Sequence, residues 1–194
     1  YRQGTFKKHA HDTYSIGIVK RGRTAFFHLD RARSIGGGDI ALINPGEVHA
    51  CNPEFGSVLT YYMLYVEPIL MQKIVRGLTG KDEGYFYFAR SVIQDKTLFR
   101  TLNELCVSMF RASNKLEIAS NVYEALSDLA LKHGDRDYQP VELTGTAEMV
   151  RYGHNFLMDN LASNVSLQEL ASLGGLSPYH FLRAFRRQYG LPPH

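Results

Sequence analysis

Hydrophobic and polar positions follow two different periods along the chain. In the first half they alternate, most clearly over 13–20, where Tyr14 and Ile16 share one face and Ser15 and Gly17 the other. Glycine, proline and asparagine interrupt these runs and predict turns between short strands. We expect strands at 13–20, 24–29, 40–43, 57–66 and 85–92, with a turn at 30–33. Many short strands at this spacing indicate a sandwich or small barrel.

In the second half, apolar residues recur at the spacing of a helix with one buried face. Helices are predicted over 66–79, over 95–110, from 118 to a point near 133–134, and over 147–160. The second and third of these carry long apolar faces and are joined by a short loop, so we expect an antiparallel pair. This pair either only covers the barrel or also forms a dimer surface.

The run 166–190 predicts two short helices separated by a tight turn. The first helix begins with the capping-box spacing of Ser166 and Glu169 and ends at a pair of glycines. Ser177 caps the second helix, and Pro178 occupies its first position. Two helices joined by a glycine turn, the second of them basic, are typical of a helix-turn-helix. A helical hairpin with solvated arginines has the same spacing.

The runs SLQELA (166–171), GLSPYHFLRAFR (175–186) and GLPPH (190–194) resemble the first helix-turn-helix of the AraC/XylS-type transcription regulators. Proteins of that family have a second helix-turn-helix after this point. The resemblance therefore implies that 146–194 is the first half of a truncated DNA-binding domain. Because one half-module offers few contacts, we expect weak DNA binding by this chain alone. The chain also opens at Tyr1 without Met, so we expect a portion of something longer.

The same resemblance implies which side chains of the second helix meet DNA. Tyr179, Leu182 and Arg183 are expected to face base edges, with Arg183 pairing with guanine. Arg186 and Arg187 lie further along the helix and are expected to contact phosphates. His180 either adds a phosphate contact or makes none.

Three histidines form a second recognisable pattern. His9 and His11 lie on one face of a strand, and His49 ends the run GDIALINPGEVH (38–49). H-x-H followed by G-D…P-G-x-x-H resembles the paired motifs of a cupin barrel, which AraC/XylS-type regulators commonly carry as a sensor domain. The resemblance implies a barrel that binds a small-molecule effector. We expect effector contacts from His9, His11, Tyr14, Ser15 and His49.

A metal-binding cupin has a glutamate three or four residues after its H-x-H pair, where this chain has Ser15 and Ile16. A serine hydroxyl is a poor ligand for a divalent cation, so we predict no metal or other cofactor. Three histidines alone, His9, His11 and His49, could still hold zinc. They could instead hydrogen-bond an effector or merely satisfy buried polar groups. Without a nucleophile–base spacing, we predict that the chain is not an enzyme.

Composition changes this picture little. A net charge of +3 over 194 residues is only a mild bias toward anionic partners. No apolar run reaches transmembrane length. Cys51 and Cys106 lie in apolar or helical contexts without metal-ligand spacing, which predicts buried thiols in a cytoplasmic protein.

Together these features predict an α+β chain with four segments. They are a cupin-like effector-binding barrel at 1–92, a helical hairpin at 93–134, a linker at 135–145 and the helix-turn-helix segment at 146–194. We expect a regulator that binds double-stranded DNA and a small effector, and that forms a homodimer through helices 95–133 without a membrane. The alternatives are a metal-dependent cupin enzyme with a helical accessory tail, and a sensor barrel with a helical interaction module that does not bind DNA.

Overall fold

The computed structural model describes residues 7–111, 114–136, 138–142, 144–161 and 163–194, so residues 1–6 of the predicted barrel lie outside it. The strands are β1 (Tyr14–Arg21), β2 (Arg23–His28), β3 (Arg31–Gly36), β4 (Ile40–Ile43), β5 (His49–Pro53), β6 (Thr60–Val66) and β7 (Val92–Ile93). The helices are α1 (Pro68–Thr79), α2 (Lys96–Phe110), α3 (Lys115–His133), α4 (Thr146–Asp159), α5 (Leu167–Leu173) and α6 (Pro178–Tyr189). The predicted α+β class is confirmed.

Two antiparallel sheets face each other and form the barrel. One sheet has the strand order β6-β1-β4-β7 and the other β3-β2-β5. Their inner faces meet in a small apolar core, to which Val19 and Ile43 contribute from one sheet and Phe26 and Ile35 from the other. The barrel therefore has a packed apolar interior.

The two central strands of the larger sheet, β1 and β4, are buried on both faces, and side chains alternate between these faces. On β1, Tyr14, Ile16 and Ile18 point away from the barrel interior and join the main core with α1, α2 and α3. This sheet therefore separates the barrel interior from the helical layer. None of the helices, in the part of the chain that is described, is long and apolar enough to cross a membrane.

Three strand predictions need correction. Residues 85–92 form no long strand, although Phe86 and Phe88 are buried and alternate with exposed tyrosines. Their backbone bonds instead to the end of α3, where the Ala89 N–H donates to the His133 carbonyl. Residues 30–33, predicted as a turn, mostly belong to β3, and β5 was not predicted at all. Alternation reports which side chains are buried, but not what the backbone bonds to.

Helix α2 begins at a well-formed N-cap. The Asp95 carboxylate accepts a hydrogen bond of 2.9 Å from the Leu98 N–H and lies 3.4 Å from the His133 ring nitrogen. These two contacts hold the pKa of Asp95 below its ordinary value. The cap therefore ties the start of α2 to the end of α3.

We expect Asp95→Ala to lower the free energy of unfolding by about 1 kcal/mol at neutral pH, since the cap is lost. Because the native state lowers this pKa, the contribution is present above the unfolded pKa of about 4 and is lost as pH falls below it. Chemical denaturation at several pH values measures the difference. Asp95→Asn keeps an acceptor and should retain most of the stability, and an alanine variant as stable as wild type would contradict the assignment.

The last three helices form a separate apolar cluster in which Val150, Leu170 and Phe181 are fully buried. Gly153 of α4 lets α6 approach closely, because a Cβ at this position would lie 2.6 Å from the Phe181 ring. The segment predicted as a linker is also packed, since Tyr138 is buried in the main core. The three C-terminal helices thus form one small unit that lies against the rest of the chain.

Candidate functional site

The structure brings the three predicted histidines together at one end of the barrel. The ring centroids are 4.9 Å apart for His9 and His11, 4.5 Å for His9 and His49, and 5.3 Å for His11 and His49. None of the three pairs is stacked. Their potential ligand atoms all lie within 4.8 Å of one another. His9 is exposed, His11 is half-buried and His49 is buried, so the cluster runs from the surface into the protein.

A tight turn holds His49 in place. Gly46 adopts a positive φ of 80°, which glycine accepts at no steric cost. Asn44 donates to both Glu47 carboxylate oxygens, at 2.8 and 3.1 Å, and His28 lies 2.8 Å from the same carboxylate. Burial raises the pKa of Glu47, but these hydrogen bonds outweigh that effect and bring the pKa below its ordinary value. The carboxylate is thus fully engaged in holding the turn.

The surroundings of His49 favour its neutral form, since its pKa lies below the ordinary value. Burial lowers its pKa, and the neighbouring His9 and His11 rings lower it further. Its Nδ1–H donates to the Glu47 carbonyl at 3.0 Å, because a carbonyl oxygen can only accept. The Nε2 atom therefore carries the free lone pair.

A cavity of about 110 Å³ lies between the two sheets beside His9. Its walls are mostly apolar and include Gly17, Thr24, Cys51, Tyr61 and Met63. The hydroxyls of Thr24 and Ser15 are buried and have no hydrogen-bond partner among the described residues. Ser15 lies on the same face of β1 as Gly17. The cavity is smaller than the 300–1,000 Å³ typical of drug-sized ligands, so it suits a small molecule.

Of the five predicted effector contacts, His9 lines this space, and His11 and His49 cluster with His9. Ser15 lies on the same face of β1 as Gly17 of the cavity wall, and Tyr14 does not. Tyr14 is buried on the opposite face of β1 and donates its hydroxyl to the Phe86 carbonyl. The cause is the two-residue period of the strand, which separates Tyr14 from Ser15. Sequence reasoning also missed Thr24, Cys51 and Met63, whose strands carry no motif to mark them.

The helix-turn-helix has the predicted caps. Ser166 and Glu169 form a complete capping box at the start of α5. Gly175 in the turn has a φ of 64°, and the Ser177 side chain accepts from the His180 N–H at the start of α6. This local geometry agrees with the sequence because each cap depends only on neighbouring residues.

The six residues predicted to meet DNA are not all free. Arg183 and Arg187 are exposed, and the Arg183 guanidinium donates to the Tyr179 hydroxyl at 3.2 Å. Arg186 donates through both terminal nitrogens to the Glu124 carboxylate of α3, and the longer contact is 3.0 Å. This hydrogen-bonded pair raises the pKa of Arg186. Leu182 is half-buried against the C-terminal cluster.

The first turn of helix α6 is also hydrogen-bonded to α1 and to the segment before α4. The Ser177 hydroxyl donates to the Gly77 carbonyl of α1 at 2.8 Å. The His180 ring bonds to Ser177 on one side and to the Val141 carbonyl on the other, both at 2.8 Å. Tyr179 packs against the main core. The N-terminal half of α6 therefore lies on α1 and on the segment before α4.

A groove between α3 and α6 has acidic side chains on one wall and basic side chains on the other. Glu124 and Asp128 line it from α3, and Tyr179, Arg183 and Arg186 line it from α6. Two carboxylates thus face the helix side that was predicted to face DNA. In this arrangement Arg186 is paired with Glu124, whereas Arg183 and Arg187 are exposed to solvent.

Comparisons with known proteins show which family this chain resembles. Residues 1–126 match the family described as the AraC-like ligand binding domain. Over 189 residues the chain is 31% identical to YbfI, an HTH-type transcriptional regulator of Bacillus subtilis, covering 97% of this chain and 68% of that protein. An apo ToxT variant from Vibrio cholerae has a TM-score of 0.50 at 10% identity, covering 97% of this chain and 90% of its own. ToxT from Vibrio cholerae O395 has a TM-score of 0.45 at 11% identity, covering 100% and 93%.

The family match covers well over half of the chain, and the relative carries the same helix-turn-helix designation that the C-terminal caps predict. The chain belongs to the AraC-type family of transcription regulators, with a ligand-binding domain of that family at its N-terminus.

Proposed function

We propose that this regulator binds DNA sequence-specifically through α6 and that a small effector bound in the barrel controls this binding. The observation that carries the proposal is α6 itself, a capped helix with three arginines and no acid, preceded by a capped helix and a glycine turn. Such a helix fits the major groove, where arginine pairs with guanine. As a DNA-binding regulator it would act in the cytoplasm and would not be an enzyme.

The effector site that fits best is the cavity beside His9. Thr24 presents a buried hydroxyl there that lacks a partner among the described residues, and such a group favours a ligand that can hydrogen-bond to it. The apolar walls favour a small ligand with a hydrocarbon part. His9 stands at the rim, where it can meet a polar group of that ligand.

Coupling between the two sites requires two states that the effector and DNA stabilise differently. The contacts of α6 with α1 and α3 define one state, in which Glu124 neutralises Arg186. DNA that uses the whole predicted face requires a second state, in which α6 has left α3. We propose that the effector changes the balance between these two states.

A thermal-shift screen of small metabolites tests the effector site, since a ligand of the native state raises the melting temperature. We expect at least one compound to raise it and also to change the affinity for DNA. Thr24→Val removes the buried hydroxyl at nearly constant volume and should abolish the shift. Compounds that act equally on Thr24→Val and on wild type would exclude this cavity.

We also propose that helices 95–133 form a dimer surface, because Phe110 at the end of α2 is 78% exposed and Met109 beside it is exposed too. Phe110→Glu should shift the chain toward monomer in sedimentation measurements. Phe55→Glu is the control, since Phe55 is 94% exposed but lies in the loop between β5 and β6. A wild-type monomer, or equal effects of both variants, would contradict this surface.

A further inference from the structure

The three clustered histidines have the spacing that a tetrahedral metal ion demands. An imidazole nitrogen binds Zn²⁺ at 2.0–2.1 Å, which places each ring centroid about 3.2 Å from the ion and neighbouring centroids about 5 Å apart. The centroids of His9, His11 and His49 are 4.5 to 5.3 Å apart. Their potential ligand atoms lie within 4.8 Å of one another, and small side-chain rotations would bring them to about 3.4 Å.

The backbone already holds these residues in one frame. His9 and His49 pair through two hydrogen bonds, N–H to carbonyl in both directions, of 3.0 and 2.9 Å. The His11 carbonyl accepts from the Gly46 N–H at 2.8 Å. Two segments far apart in sequence are therefore fixed to each other by three bonds next to the three rings. A site fixed in this way loses little entropy when an ion binds.

Two of the rings are also held in the tautomer that a metal requires. The His9 Nδ1–H donates to the Lys7 carbonyl at 2.8 Å, and the His49 Nδ1–H donates to the Glu47 carbonyl at 3.0 Å. In the neutral form of these rings Nδ1 carries the hydrogen, which leaves the Nε2 lone pair for a metal ion. Backbone carbonyls that orient ligand histidines in this way are the usual outer partners of metal sites.

We propose that His9, His11 and His49 bind one divalent transition-metal ion of the zinc class, with a fourth position left for a ligand beside the cavity. The neighbouring Glu47 carboxylate is engaged by Asn44 and His28, so it does not add its charge to the site. Three neutral imidazoles leave the ion its full charge, which favours a carboxylate or hydroxyl oxygen at the fourth position. Imidazole ligands also select against Mg²⁺ and Ca²⁺, which prefer oxygen. The site does not depend on whether α6 binds DNA.

Titration of the metal-stripped chain with Zn²⁺ by calorimetry tests the proposal, with Co²⁺ as a visible spectroscopic probe of tetrahedral nitrogen ligation. We expect one ion per chain and a higher melting temperature with Zn²⁺. His11→Gln and His9→Gln should each weaken Zn²⁺ binding by at least about 100-fold, beyond the loss typical of an outer-shell partner. Both residues are less buried than His49, so these variants should keep the melting temperature of the metal-free wild type.

His154→Gln is the matched control, since His154 lies on α4 and stacks on Tyr189 away from the cluster. It should bind Zn²⁺ as wild type does. A wild type that binds no Zn²⁺, or cluster variants whose affinity stays within about threefold of wild type, would overturn the proposal. Mg²⁺ should produce no shift in melting temperature, and a shift equal to that with Zn²⁺ would also overturn it.

Discussion

Arg183→Ala is expected to weaken binding to a preferred DNA site by roughly 5- to 150-fold, which corresponds to the 1–3 kcal/mol of a bidentate arginine–guanine pair. Arg183 is exposed and carries no ion pair with a carboxylate among the described residues. It therefore has no ion pair to break when it contacts a base. Binding to random duplex should change much less, because phosphate contacts dominate there.

Fluorescence anisotropy measures this effect, with the duplex that the wild-type chain selects from a random pool and a scrambled duplex of equal length. A salt concentration of about 50 mM keeps weak binding measurable. Arg100→Ala is the control for lost charge, since Arg100 is an exposed arginine of α2. Equal losses of affinity for the selected and the scrambled duplex would show that Arg183 does not recognise a base.

A disulfide between α1 and α6 is expected to abolish most DNA binding. A Cβ at Gly77 would lie 3.4 Å from the Ser177 Cβ, close to the 3.5–4.5 Å typical of disulfides. Gly77→Cys combined with Ser177→Cys should therefore cross-link on oxidation. Because the bond holds α6 on α1, the DNA-competent state is removed, and affinity should fall by at least about 100-fold.

Reduction should restore the affinity, and the two single-cysteine variants should not respond to oxidation. The native thiols are poor nucleophiles in disulfide exchange, since burial raises the pKa of Cys51 and of Cys106 to about 11. If the oxidised double variant bound DNA as well as its reduced form, α6 would not have to leave α1 in order to bind DNA.

Local features of the chain could be predicted from its sequence. The caps at Ser166 and Ser177 depend on neighbouring residues, and the structure has both. The alternation of β1 also predicted which of its side chains share a face. The histidine cluster was predictable only through a motif, because the pairing of His9 with His49 joins segments that are forty residues apart in the sequence.

Long-range partners could not be predicted. Nothing in the pattern of α3 indicates that Glu124 pairs with Arg186, because Glu124 is one of several polar residues on a half-exposed helix. The aromatic run at 85–92 looks like a strand, but its backbone bonds to the end of α3. The orphan hydroxyl of Thr24 is visible only once two sheets enclose it.

We infer that α6 binds DNA and that α3 competes with DNA for it. The affinity of Glu124→Gln for duplex DNA tests this most directly, with Glu104→Gln as the control that removes the same charge from an exposed site on α2. We expect Glu124→Gln to bind about 2- to 5-fold more tightly than the control, the range expected for an exposed ion pair. An affinity equal to that of Glu104→Gln, or weaker, would contradict it.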